Sequence, residues 1–310
     1  MIPSNDSHAP WPWYNYRQTD NLNLVTEQIH RAVQFVAMTG KIYLPHEADD
    51  SQTNMGWLVE DSLPKEGILV GNPLEVEEQA QFHVGLRPAD FSLVFLQADD
   101  REVMAELPLG GLTRQEVEEW HKGQLEAEGL DSSLFHLDLH YDIPSHPIDT
   151  GARFQFGEDL REAYEAFATL RHLGHKVVSH FAEFAPHSAD TATWPHHFDV
   201  GAYIPLAIKD DVPTKAIGLG LAIADEVMPE YYFYITHQAP KGTIAYKDLP
   251  GLPKGVHWNK MDWHGPVLPL SSLISAKSAE AQHELIHDYF QVGIKETLEL
   301  LGEAQWDLPT

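Results

Sequence analysis

The sequence predicts an α+β protein built from two similar halves, each an antiparallel sheet with packed helices, related by a pseudo-twofold duplication. Three observations lead there. Helical and strand periodicities run in the order helix, strands, helix, then strand, helix, strands, helix. The string Leu107-Pro108-Leu109-Gly110-Gly111-Leu112 returns as Leu268-Pro269-Leu270-Ser271-Ser272-Leu273, changed only at its two middle-right positions, each time between a strand pattern and a helix pattern. The 310 residues, 43% of them hydrophobic, are enough for a large core. The halves are expected at residues 1–130 and 131–310, packed as one unit.

The first helix is read over residues 20–40, capped by Asp20 or Asn21, with Leu22, Val25, Ile29, Val33 and Val36 at helical spacing and Gly40 as its stop. Short apolar runs at residues 67–70, 91–97 and 103–107, divided by Pro, Gly and Asp, read as antiparallel strands. Thr113 and Glu116 form a capping box that opens a second helix, stopping near Gly129. A strand is expected over residues 134–143 and a long helix over 158–184, which Gly174 can bend. Strands at 194–206, 216–224, 231–237 and 256–263 follow, then a helix over 275–301 stopped by Gly302.

Composition removes several function classes. The formal charge of −27, from 47 acidic and 20 basic residues, repels phosphate backbones and anionic lipid, which argues against nucleic-acid and membrane partners and for an unknown small molecule. With no cysteine there is no disulfide, thiolate nucleophile or thiolate metal site, so any metal must use His, Asp or Glu. The Pro- and Trp-rich start lacks a basic stretch followed by an apolar one, and the expected compartment is the cytoplasm.

Two constellations could carry chemistry. On an extended segment 135–142, His136, Asp138, His140 and Asp142 share one face and Phe135, Leu137, Leu139 and Tyr141 the other, which is either a His/Asp ladder or a wet edge. In Trp194-Pro195-His196-His197-Phe198-Asp199, a strand would put His197 and Asp199 on one face. The expected site is a cleft in which His140, Asp142, His197 and Asp199 hold a divalent metal ion or perform acid–base work. His180 and Glu183, one helical turn apart, are the catalytic candidates, with His187 following. Trp194, Tyr232 and Tyr234 are candidate pocket aromatics, as are Trp258 and Trp263, although strand aromatics serve equally as core.

His283-Glu284-Leu285-Ile286-His287 matches the HExxH pattern of zinc peptidases, but no histidine follows it and the apolar stripe turns Glu284 to solvent. Gly218-Leu219-Gly220 is too short for a dinucleotide loop.

The residues Trp194-Pro195-His196-His197-Phe198-Asp199, the string Pro229-Glu230-Tyr231-Tyr232-Phe233-Tyr234, Thr39-Gly40-Lys41-Ile42 and His140-Tyr141-Asp142-Ile143-Pro144 resemble a bacterial family of uncharacterised proteins with a Trp-Pro-x-His-Phe-Asp motif. The resemblance implies that His196 is the variable position and that His197 and Asp199 matter. Where such proteins have a Ser-Pro-Gly-Asp turn, this chain has Ala222-Ile223-Ala224-Asp225. No reaction is implied. The functional expectation is a hydrolase-like acid–base or metal-dependent enzyme acting on a small polar substrate, and the alternative is a ligand-binding or interaction protein with an aromatic-lined cavity.

Overall fold

The computed structural model describes residues 11–59, 63–76, 80–186, 190–210, 212–242, 244, 251–260 and 263–308. They fall into two units: residues 18–172 with 192–198, and the described residues of 1–17, 173–191 and 199–310. The boundary lies inside a helix, between His172 and Leu173, and the expected division at residue 130 falls within the first of these units.

In the first unit helix α1, Thr19–Tyr43, is buried at every position from Gln28 to Gly40. Its start is Gln18, which offers no side-chain cap, and Gly40 lies inside it rather than ending it. Gly40 is instead a contact residue, because a Cβ there would stand 2.2 Å from the Gln52 carbonyl oxygen. Strands β1 (Met55–Leu58), β2 (Ile68–Gly71), β3 (Leu74–Val76), β4 (Ala80–Arg87), β5 (Ser92–Gln97) and β6 (Val103–Pro108) follow. Helix α2, Arg114–Ala127, begins at the Thr113/Glu116 capping box as expected, and Gly129 beyond it takes φ +86°. Helix α3 is Glu158–Ala182, and β7 is the short Ala192–Thr193. The strands of this unit pair antiparallel in the order β7-β1-β2-β4-β5-β6, with β3 on β4. Helix α1 packs on β2 and β4. His121 fills the middle of a cluster with Phe35, Phe95 and Phe135, its ring 4.6 Å from that of Phe135.

The second unit holds β8 (Val200–Lys209), β9 (Val212–Ala222), β10 (Tyr232–Gln238), β11 (His257–Lys260) and β12 (His264–Pro269), antiparallel in the order β11-β12-β10-β9-β8. Helices α4, Leu270–Ser275, and α5, Ala279–Leu301, close it, and Gly302 stops α5 in a left-handed conformation at φ +68°. Phe233 of β10 meets Phe290 of α5 edge-on at 5.7 Å.

The expected strand at residues 134–143 does not form. After a turn at Ser132–Leu134 the chain runs without a ladder partner, yet its alternation survives: Phe135 and Leu137 are buried, and His136, Asp138, His140 and Asp142 are exposed. Periodicity of two reports an extended backbone over a core and is blind to whether another strand lies alongside. The expected strand at 194–206 also breaks. Residues 195–197 turn, the Phe198 N–H donates to the Trp194 carbonyl at 2.7 Å, and Phe198 takes φ +55°. The repeated string ends a strand at a proline both times, Pro108 and Pro269, but the first copy continues through a turn with Gly111 at φ +84° and the second enters α4 directly.

Glycine substitutions within the first unit test this packing. Gly40→Ala should cost about 1–3 kcal/mol through overpacking, whereas Gly123→Ala, where a Cβ on α2 meets nothing within 4 Å, should gain about 0.5–1 kcal/mol from helix propensity; urea midpoints check both.

Candidate functional site

The buried length of α1 carries polar side chains that must find partners where they stand. Gln28 accepts the Gln155 N–H, and the His30 ring bonds the Pro195 carbonyl at 2.8 Å while stacking on Phe198 at 4.8 Å. Gln34 donates to the His30 and Pro195 carbonyls at 2.9 and 3.1 Å and accepts the Tyr141 hydroxyl at 2.6 Å. Arg31, only 7% exposed, reaches Asp149 with its Nε 3.2 Å from Oδ1. Asp149 is placed by its own turn, Pro147–Thr150, where it accepts the His146 N–H at 2.9 Å.

These contacts surround a cleft of about 220 Å³ lined by Arg31 and Gln34 from α1, Arg114 from α2, Leu137, Leu139 and Tyr141 to Ile143, Asp149 and Phe154. Arg114 Nη1 stands 3.9 Å from the same Asp149 oxygen, and its Nη2 donates to the Leu137 carbonyl at 3.3 Å. Two guanidiniums therefore face the Asp149 carboxylate, which, like Asp142, also in the lining, belongs to an exposed residue. Burial pulls the pKa of Arg31 down and Asp149 opposes that pull. Burial, with the Asp50 charge second, raises that of Tyr141, so its hydroxyl stays protonated and remains a donor to Gln34.

One ring away lies a second feature of this unit. The His140 Nε2–H donates to Asp50 Oδ2 at 2.5 Å, and the His140 ring meets that of Tyr141 edge-on at 4.7 Å. Asp50 Oδ1 accepts from Lys41 at 2.7 Å and Gln52 at 2.9 Å. Burial alone would raise the Asp50 carboxyl, but the bonds from Lys41 and His140 outweigh it and hold the pKa below its usual value.

The remaining expected residues scatter. Among the described residues no three His, Asp or Glu side chains gather as a metal ion would require, so His140, Asp142, His197 and Asp199 do not form the ligand set their spacing suggests. His140 is engaged by Asp50, and Asp142 is on the cleft. His197 is exposed on the 195–197 turn with its ring 4.4 Å from that of His196, and Trp194 lies 6.1 Å from His196. Asp199 belongs to the other unit, since the left-handed Phe198 ends the shared strand face.

In that second unit Asp199 accepts a short hydrogen bond from Tyr234, and Tyr232 donates to Asp225 at 2.7 Å. The glycines explain the first contact. A Cβ at Gly220 would fall 2.2 Å from Tyr234 Cζ and one at Gly201 2.8 Å from its hydroxyl, so the Tyr234 ring crosses bare backbone to reach Asp199. Gly218-Leu219-Gly220 is thus a strand segment that seats aromatic and hydroxyl side chains. Tyr232, with Met228 and Val267, is core, and Trp263 packs against it. His180 is an aromatic packing residue between Trp11, Phe181 and Phe184, and Glu183 is exposed at the helix end, so the two form no joint acid–base pair; His187 lies outside the described residues. His283 and His287 stack at 6.1 Å with Trp11 against His283, and Glu284 is exposed.

Arg31, Gln34, Asp50, Arg114 and Asp149 escape sequence reasoning. The available signal was the run Gln28 to Gln34, where polar residues occur on every side of a helix otherwise rich in apolar ones.

The buried His30 titrates far below its ordinary range, drawn from 6.5 to about 3 chiefly by burial. Its folded pKa is depressed, so between about pH 6.5 and 3 the unfolded chain binds the extra proton; this contribution is complete above pH 6.5 and is lost as pH falls. His30→Gln should flatten the acid limb of the stability curve by up to about 1.4 kcal/mol per pH unit, measured by urea unfolding between those limits. In the second unit, Tyr234→Phe should destabilise by about 1–3 kcal/mol by leaving the Asp199 carboxylate without this donor, again read from urea midpoints.

No family model, curated protein or solved structure matches this chain.

Proposed function

We propose that this protein binds a small anionic molecule, a carboxylate or phosphate, in the cleft lined by Arg31 and Arg114. The observation that carries this reading is the pairing of a nearly buried guanidinium with a second one beside the Asp149 carboxylate, in a chain whose net charge is −27. The lining holds Asp142 and Asp149 as well, but Arg114, 3.9 Å from Asp149, makes no hydrogen bond to a carboxylate among the described residues, and its remaining donors are what a ligand oxyanion complements. The net charge repels polyanions at long range, which supports a small molecule over nucleic acid or membrane; a ligand with one or two charges is held at contact distance by charge-assisted hydrogen bonds.

An acid–base enzyme acting on a small polar substrate is the second reading, favoured by the Asp50–His140 pair beside the cleft. Membership in the Trp-Pro-x-His-Phe-Asp family and an ancestral duplication belong to the same proposal, supported by the motif residues and the repeated string.

Calorimetric titration with succinate, citrate and inorganic phosphate, with succinamide as a neutral control, tests the cleft. Binding of at least one anion with Kd under about 1 mM is expected, weakened about 10-fold or more by Arg114→Gln, which removes a charged donor. Absence of heat for all three anions, or undiminished affinity in the variant, would overturn the reading.

A further inference from the structure

We infer that His140 is the general base of a hydrolytic reaction, held in register by Asp50 as a positioning residue, and that its substrate is a small ester bearing a carboxylate. The substrate class rests on the anion-binding reading of the cleft; the base does not.

The geometry of Asp50 is the first support. It is a non-glycine residue at φ 62°, a left-handed conformation that costs free energy unless the surroundings impose it. They do: Lys41 and Gln52 donate to Oδ1, and the Thr53 N–H and hydroxyl both donate to the Asp50 carbonyl, at 3.0 and 2.8 Å. A surface ion pair needs no such anchoring. The result is one carboxylate oxygen aimed at His140 Nε2.

The second support is what this does to the imidazole. A carboxylate accepts only, so Nε2 carries a proton, and in the neutral ring Nδ1 presents its lone pair. Among the described residues nothing hydrogen-bonds Nδ1, and the residue is exposed. The third is position: His140 is next to the cleft without lining it, its ring meeting edge-on that of Tyr141, which does line it and whose hydroxyl is fixed by Gln34.

A neutral imidazole so oriented takes a proton from water on Nδ1 as the water oxygen bonds to the ester carbonyl carbon. Collapse of the tetrahedral adduct breaks the bond to the leaving oxygen, which receives that proton from the imidazolium. Ester and water become acid and alcohol, and His140 returns to its neutral form. Asp50 stabilises the imidazolium throughout, without itself taking the proton.

Hydrolysis of mono-p-nitrophenyl succinate and of neutral p-nitrophenyl acetate by the full chain tests the inference. Turnover above buffer background is expected, with a higher kcat/KM for the anionic ester. His140→Ala should lose about 100-fold or more, and added imidazole should restore part of it. His140→Gln can keep the hydrogen bond to Asp50 but supplies no base, so it should be equally inactive while unfolding at the wild-type temperature; a purely structural clip predicts full activity for this variant. Wild-type turnover in His140→Gln, or no turnover of either ester by folded protein, would overturn the base. Equal kcat/KM for the two esters, unchanged in Arg114→Gln, would overturn the carboxylate-bearing substrate and leave the base standing.

Discussion

Burial of helix α1 on almost every side is the constraint on which the first unit depends. A helix in water can send its polar side chains outward, but between Gln28 and Gly40 no side of α1 is free. Each polar group on it has to be met by the chain that surrounds it. Gln28 takes the backbone at Gln155, His30 and Gln34 take the Pro195 carbonyl, Arg31 takes Asp149, Gln34 also takes Tyr141, and Thr39 bonds His121. Segments outside the α-helices and strands, 135–155 and 194–198, are therefore tied to the helix one hydrogen bond at a time.

The cleft follows from that arrangement. Arg31 is held by Asp149 on a turn that caps itself through His146, and Arg114 enters from the first turn of α2, whose position is set by the Thr113 capping box. A nearly buried cation brought in by one element and a second one supplied by another share the Asp149 carboxylate, the second at 3.9 Å and without a hydrogen bond to it. The Asp50–His140 pair belongs to the same economy of short loops fastened to α1, because Lys41 in its last turn orients Asp50.

The second unit solves a different problem with glycine. Tyr234 lies across Gly220 and reaches Asp199 next to Gly201, so two strand positions without side chains let one aromatic ring span three strands' width of backbone. The opposite face, with Phe233 and Ile235, packs on α5 at Phe290 and Gly293. Asp199 is thereby a hydrogen-bond acceptor for a half-buried phenol, a role that strand alternation alone would never assign to it.

Helix periodicity, the Thr113/Glu116 capping box, the Gly302 stop and most strands were legible by themselves, because they depend on residues near one another in the chain. The alternation at 135–142 correctly sorted inward from outward side chains and still misnamed the segment, since pairing is a property of whatever lies alongside. His140 and Asp142 were legible as exposed polar residues with chemistry to offer. Their partners were not: Asp50 stands 90 residues from His140, and Asp149 stands 118 from Arg31. Sequence by itself determined the α+β composition, the acidic charge, the lack of thiols and the local starts and stops of helices. Only the tertiary structure decided which buried cation met which carboxylate, because burial sets the cost of a charge and burial is made by residues remote in the chain.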